Sequence, residues 1–217
     1  MPSSVAVVFP AVAVVVNYAT GRAHLRPVLA GKTDFPGDTL VIHHSHEAPS
    51  WGTVEVGATL APPPYAPLAW RLVALPALLA TAAVGAAGPH GRKFHRLVRL
   101  ASIGRSLPQA PETQVRDAVR AVRWAARLMP ARWACLEQST AGALLLAASG
   151  RRAEWRHGIA TDPVRLHAWI EDAAGQPVEE PADTSLYVVT YTPDGPGPKP
   201  KVRRGVPRER SADPAAW

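Results

Sequence analysis

Two runs of β-branched residues open the chain, VAVVF at residues 5–9 and AVAVVVNY at 11–18. Such runs read as strands. Ala19-Thr20-Gly21 follows as a turn, so Arg22 to Leu29 is expected to return as a hairpin partner. Thr39 to His43 and Gly52 to Leu60 have the same strand character, and Pro62-Pro63-Pro64 closes this β-rich stretch. The pattern then changes to helical. Ala66 to Gly88 is almost wholly apolar, and Gly91 to Ser106 alternates arginines with apolar residues at helical spacing. Gln114 to Met129 is the clearest periodic segment. Val115, Ala118, Val119, Val122, Ala126 and Met129 recur at helical steps, and Arg116, Arg120, Arg123 and Arg127 fall together on the other side.

Pro130 ends that helix, and the next begins near Cys135. It is apolar nearly all round as far as Gly150, which predicts a central, buried helix with a glycine C-cap. Short strands are expected at 153–159, 166–172, 176–179 and 185–191, the second and third joined by a tight turn at Ala173-Ala174-Gly175. A helical region followed by a small antiparallel sheet predicts an α+β fold, here preceded by a small β-rich N-terminal unit. The expected boundaries are 1–62 for that unit, 63–193 for the main domain and 194–217 for a basic, proline-rich, disordered tail.

Composition narrows the function classes. With 217 residues, 47% hydrophobic and 19% charged, the chain can build a real core. A net charge of +7 favours acidic partners. Arginine outnumbers lysine, which fits a coding bias as well as a binding role, and nucleic acid is not expected as a partner. The single cysteine excludes an intramolecular disulfide and suits a reducing compartment. Met1 to Val16 lacks a charged start and is interrupted by Pro10, so no signal peptide is expected. The uncharged run 72–88 contains Pro76 and reads as a buried helix rather than a membrane span; peripheral membrane contact is not favoured, and a cytoplasmic location is expected.

The candidate chemistry sits in one stretch. Cys135 lies at a helix start, where unpaired N–H groups and the helix dipole favour a thiolate. His167 falls in a predicted strand, and Glu179 lies just beyond a predicted turn, where a carboxylate could fix the imidazole tautomer. Thiol, imidazole and carboxylate are the parts of a cysteine nucleophile site. His24, His90, His95 and His157 are rival partners for the thiol. The alternative for Cys135 is a small, inert core residue. His43, His44 and His46 with Glu47 invite a metal reading, but no further ligand stands at a convincing spacing, and no metal is expected. The arginine stripe reads as a solvated face, or as a rail for an acidic peptide or a phosphate.

The block Cys135-Leu136-Glu137-Gln138-Ser139, the leucine-rich helix to Ser149-Gly150, His157-Gly158-Ile159, and His167-Ala168-Trp169-Ile170-Glu171 with Gly175-Gln176-Pro177-Val178-Glu179 together resemble the B2-type proteins of lasso-peptide biosynthesis. The resemblance spans about residues 66–191. It implies a transglutaminase-like fold with a papain-type arrangement, and a leader peptidase acting on a ribosomally made precursor. By that resemblance Cys135 is the nucleophile and His167 the general base. Glu179 falls where the family usually has aspartate, with Glu180 and Asp183 as substitutes, and Trp169 packs beneath the site. The implied partners are the precursor's leader region, a separate leader-recognition protein and a macrolactam cyclase. The pathway's ATP would be used by the cyclase, and no cofactor is expected on this chain. Val12 to Val28 resembles the first hairpin of small leader-recognition domains. Residues 30–65 lack the helices that continue such domains, so recognition is expected from the separate protein, which the β unit could dock. An acyl transferase with the same residues, or a non-catalytic leader-binding scaffold, remains an alternative.

Overall fold

The computed structural model describes residues 2–28, 35–44, 65–130, 133–161 and 164–198. The architecture is α+β, with a β-rich N-terminal unit ahead of four helices and a second sheet. Strands β1 (Ser4–Val8), β2 (Val12–Asn17), β3 (Arg22–Pro27) and β4 (Thr39–His43) form a sheet in the order β3-β2-β1-β4. The two hairpin pairings are antiparallel, and β4 joins β1 in parallel. The β-branched runs thus form the strands they predict, and Asn17 closes the second turn by accepting the N–H groups of Ala19 and Thr20. The strand expected at 52–60 lies outside the described residues.

This sheet keeps no core to itself. Val5, Val7, Val14 and Val16 belong to one apolar cluster with Leu78, Val122, Leu146, Trp155 and Ile159 from the rest of the molecule. A polar link adds to the docking. Tyr18 stands 2.8 Å from His157 Nδ1 and 2.6 Å from Thr190 Oγ1 through its hydroxyl, deep in the second sheet. Burying two hydroxyls and an imidazole is tolerable because each satisfies another.

Helices α1 (Leu68–Ala86), α2 (Lys93–Ala101), α3 (Glu112–Leu128) and α4 (Cys135–Ala148) follow. The second sheet comprises β5 (Glu154–Ala160), β6 (Arg165–Glu171), β7 (Val188–Thr192) and β8 (Gly195–Pro196), ordered β6-β5-β7-β8 and antiparallel throughout. As its all-round apolar surface predicts, α4 is the central helix. It packs on α1, α2, α3, β5 and β6. It lies close against β6 at Gly142, where a Cβ would stand 2.8 Å from Ile170 Cδ1. That fit sets the start of α4 beside β6.

Three expectations change. First, 176–179 is not a strand. Residues 172–180 form a turn in which Asp172 Oδ1 accepts the N–H groups of Ala174 and Gln176. Only an isolated bridge between Glu171 and Pro177 remains. Pro177 has no N–H to offer a ladder, and Glu179 takes a left-handed backbone with φ 58°. Second, the tail does not begin at 194. Asp194 accepts Arg152 Nη1 and Nη2 at 3.1 and 2.6 Å, and this grip turns Gly195–Pro196 back to pair with β7. Residues 199–217 lie outside the described residues. Third, α1 is buried on one face only. Ala74, Ala77, Leu78, Thr81 and Gly85 enter the core, and the opposite face is exposed and apolar.

Candidate active site

Cys135 is the first residue of α4, entered from an extended Ala134 with no side-chain cap. The first-turn N–H groups therefore have no capping oxygen. Gln138 Nε2 donates to Trp133 O at 3.0 Å and ties down the chain just before the cysteine. The Cys135 sulfur is met by the His167 imidazole and by the backbone N–H groups of Ala168 and Leu136. Burial pushes the thiol up, but these three donors and the charge on the imidazole outweigh it and leave the thiol below its ordinary value. For His167, burial acts downward; the hydrogen bonds to Cys135 and Glu180 and their charges overcome it and push the imidazole up to about 9. A thiol held below its ordinary value beside an imidazole held above its own is an arrangement that favours a thiolate–imidazolium pair.

The second imidazole nitrogen selects the acid. His167 Nε2 donates to Glu180 Oε2 at 2.9 Å, which leaves Nδ1 for the sulfur. Glu180 Oε1 accepts Arg123 Nη2 at 2.7 Å, so the carboxylate is held from both sides. The expectation of Glu179 in this place is corrected. Its carboxylate turns to α3 and accepts Arg120 Nε and Nη2 at 3.0 and 2.8 Å. Arg123 also donates to the Glu179 backbone carbonyl. The left-handed Glu179 backbone sends the two adjacent side chains to different partners. Asp183 lines the same cleft, but the imidazole nitrogen is taken by Glu180.

The arginine stripe is therefore neither a solvated face nor a rail. Arg116 pairs with Glu112, Arg120 with Glu179 and Arg123 with Glu180. Arg120 and Arg123 clamp the acid-bearing turn onto α3, and only Arg127 of the four is exposed.

Aromatic rings frame the imidazole. Trp169 stacks on His167 with centroids 5.7 Å apart and planes 13° apart, and Tyr187 lies 5.3 Å away on a tilt. Trp169 is 2% exposed and donates its indole N–H to Glu171 Oε1 at 3.1 Å, so it does lie packed against the site. Its crossing over β5 requires Gly158, where a Cβ would stand 2.8 Å from Trp169 Cη2.

The rival histidines stand elsewhere. His157 is 3% exposed, and burial with a smaller push from His167 drives it down to about 3, so it is neutral. His24 is exposed on β3, His90 is exposed before α2, and His95 Nδ1 contacts Tyr18 O at 3.2 Å. No cluster of metal-ligating residues occurs among the described residues; His46 and Glu47 lie outside them.

The site opens into a cavity of about 640 Å³. Val119, Val122 and Ala126 of α3 form one wall, Trp133 and Gln138 flank the cysteine, and Arg127, Arg165 and Asp183 charge the lining. The sequence reasoning held Glu180 only as a substitute for Glu179, and it missed Arg123 as the clamp on that carboxylate and Tyr187 as a neighbour. The prolines at 177 and 181, which forbid a regular strand between them, were the available signal.

Residues 72–192, more than half of the chain, match the transglutaminase-like superfamily. The chain belongs to that superfamily. Its members are usually catalytic through a cysteine, and Cys135, His167 and Glu180 all lie inside the matched range. No curated protein and no solved structure matches the chain significantly.

Proposed function

We propose that this protein is a cysteine peptidase that removes the leader from a lasso-type precursor peptide. The observation that carries the catalytic part is the contact chain Cys135–His167–Glu180 at the mouth of one cavity. The motif blocks around Cys135 and His167, which resemble the B2-type proteins, carry the substrate part. The thiolate attacks the carbonyl carbon at the leader–core junction, and the new oxyanion meets unpaired N–H groups at the start of α4. The carbon–nitrogen bond breaks as the His167 imidazolium gives its proton to the leaving amine. Water, deprotonated by the now neutral imidazole, opens the thioester, releases the leader acid and restores the thiolate. Glu180 holds the ring and balances its charge throughout. A separate leader-recognition protein presents the precursor, and an ATP-dependent cyclase takes the freed amine. The chemistry needs no cofactor on this chain, and the reaction is placed in the cytoplasm.

The test is incubation of the purified protein with the precursor and the leader-recognition protein, followed by mass analysis. The expected products together exceed the precursor by one water. Cleavage that survives Cys135→Ala would sink the proposal, and a leader fragment carrying a new amide would turn it into an acyl transferase.

A further inference from the structure

The face of α1 turned away from the core has no function in the cysteine site. Every exposed residue of this helix is apolar, from Leu68 through Leu72, Val73, Pro76 and Leu79 to Ala83. Leu68, Leu72 and Leu79 are 62%, 63% and 54% exposed. They form a continuous stripe along a helix of 19 residues, about 28 Å at about 1.5 Å per residue. A soluble surface seldom leaves so long an apolar strip uncovered.

Charge indicates what covers it. Between Tyr65 and Pro111 there is no Asp or Glu, and there are six Arg or Lys. Arg96 fastens α2 to the end of α1 by donating to the carbonyls of Val84 and Gly85, both at 2.8 Å. Arg92, Arg99 and Arg105 are exposed along the α2 segment packed beside α1, as is Ile103. Lys93 is paired with Glu137 of α4 at 2.8 Å, but the exposed charges of this segment are cations, and an apolar strip beside them complements an anionic lipid surface, where acyl chains take the strip and headgroup phosphates take the arginines. Among the described residues α1 is the one helix long and apolar enough to cross a bilayer. Crossing would pull Ala74, Leu78 and Thr81 out of the core, where each is fully buried.

We propose that the α1–α2 hairpin is a peripheral docking surface for anionic membrane, with α1 lying along the interface and the catalytic domain left in water. This holds independently of what the cysteine site cleaves.

The full-length protein is sedimented with vesicles of equal phosphatidylglycerol and phosphatidylcholine, and with vesicles of phosphatidylcholine alone. Strong partition into the anionic vesicles is expected. Leu72→Gln/Leu79→Gln, with an unchanged circular dichroism spectrum, is expected to weaken it at least tenfold. Arg92→Gln/Arg99→Gln is expected to lower binding to the anionic vesicles only. The proposal is overturned if wild type does not sediment with anionic vesicles, or if Leu72→Gln/Leu79→Gln sediments like wild type, since net charge elsewhere would then carry binding. It is equally overturned if wild type is a dimer by light scattering and the double leucine variant a monomer, since a second copy would then cover the face.

Discussion

His167 Nε2 and Glu180 Oε2 stand 2.9 Å apart, and the neighbouring Glu179 carboxylate is bound to Arg120 instead. Two adjacent glutamates thus have different work. One orients an imidazole, and the other fastens the turn that carries it.

Glu180→Gln and Glu179→Gln should therefore separate cleanly. Loss of the Glu180 charge removes what fixes the ring and favours the imidazolium, so kcat/KM should fall by about 100-fold or more. Glu179→Gln removes the charge of a part-buried pair but leaves an amide oxygen that can still accept from Arg120, and should leave activity within a few-fold. Arg123→Met should fall between them, because it frees both Glu180 Oε1 and the Glu179 carbonyl. Steady-state kinetics on the three variants decide this. Equal losses in the two glutamate variants would mean that the turn acts as a unit.

The pH dependence follows from the thiolate–imidazolium pair. The Cys135 thiol lies below its ordinary value and the His167 imidazole is pushed up to about 9. Turnover needs the first deprotonated and the second protonated, so kcat/KM should rise on the acid side at a pH below that of an ordinary thiol and decline on the alkaline side near 9. Iodoacetamide needs only the thiolate and should label Cys135 on both sides of that decline. In Glu180→Gln the alkaline limb should move down, because Glu180 is one of the causes that raise the imidazole. Labelling that climbs with pH like a free thiol, above about 8, would contradict the pair.

Acid should loosen the junction between the two sheets. His157 has a folded value of about 3 against an ordinary 6.5, so the unfolded chain binds its proton first. The stability from keeping it neutral is whole above pH 6.5 and is lost as pH falls toward 3. The slope approaches about 1.4 kcal/mol per pH unit within that window, a drop in Tm of several degrees per unit. Tm measured at steps from pH 7 to pH 4 should fall more steeply in wild type than in His157→Gln, whatever the variant's starting Tm. Parallel slopes would show that other groups govern acid unfolding.

Much of this molecule was legible where one local signal sufficed. Valine runs made β1 and β2, a helical period made α3, and Pro130 ahead of an apolar block put Cys135 at a helix start. The errors share a different cause. Assigning Glu179 to the imidazole rested on a strand at 176–179 beyond a tight turn, and the left-handed backbone of Glu179 itself turns its carboxylate to α3 instead. The arginines of α3 showed which face was charged. The acids that meet Arg120 and Arg123 are 59 and 57 residues away, beyond the reach of any local pattern. Hydropathy could not reveal the half-exposure of α1, because both of its faces are apolar.

The last prediction concerns a residue that touches none of the reacting groups. Gly158 on β5 is in register with His167 on β6. A Cβ there would stand 2.8 Å from Trp169 Cη2, 3.0 Å from Cζ3 and 2.9 Å from the Val188 carbonyl oxygen. Gly158→Ala must displace the indole, and the indole is stacked on the imidazole, so the methyl group acts on the site through Trp169. Overpacking of this kind costs about 1–3 kcal/mol, and the shifted ring should lower kcat while KM stays near wild type. The double variant Gly158→Ala/Trp169→Phe removes the two indole atoms that clash and keeps an aromatic ring beside His167. It should recover part of the lost kcat, though the contact with Val188 remains. If Gly158→Ala alone lowers Tm but leaves kcat intact, Trp169 is packing without influence on the imidazole; if the double variant is no faster than the single, the methyl acts through the strand backbone instead.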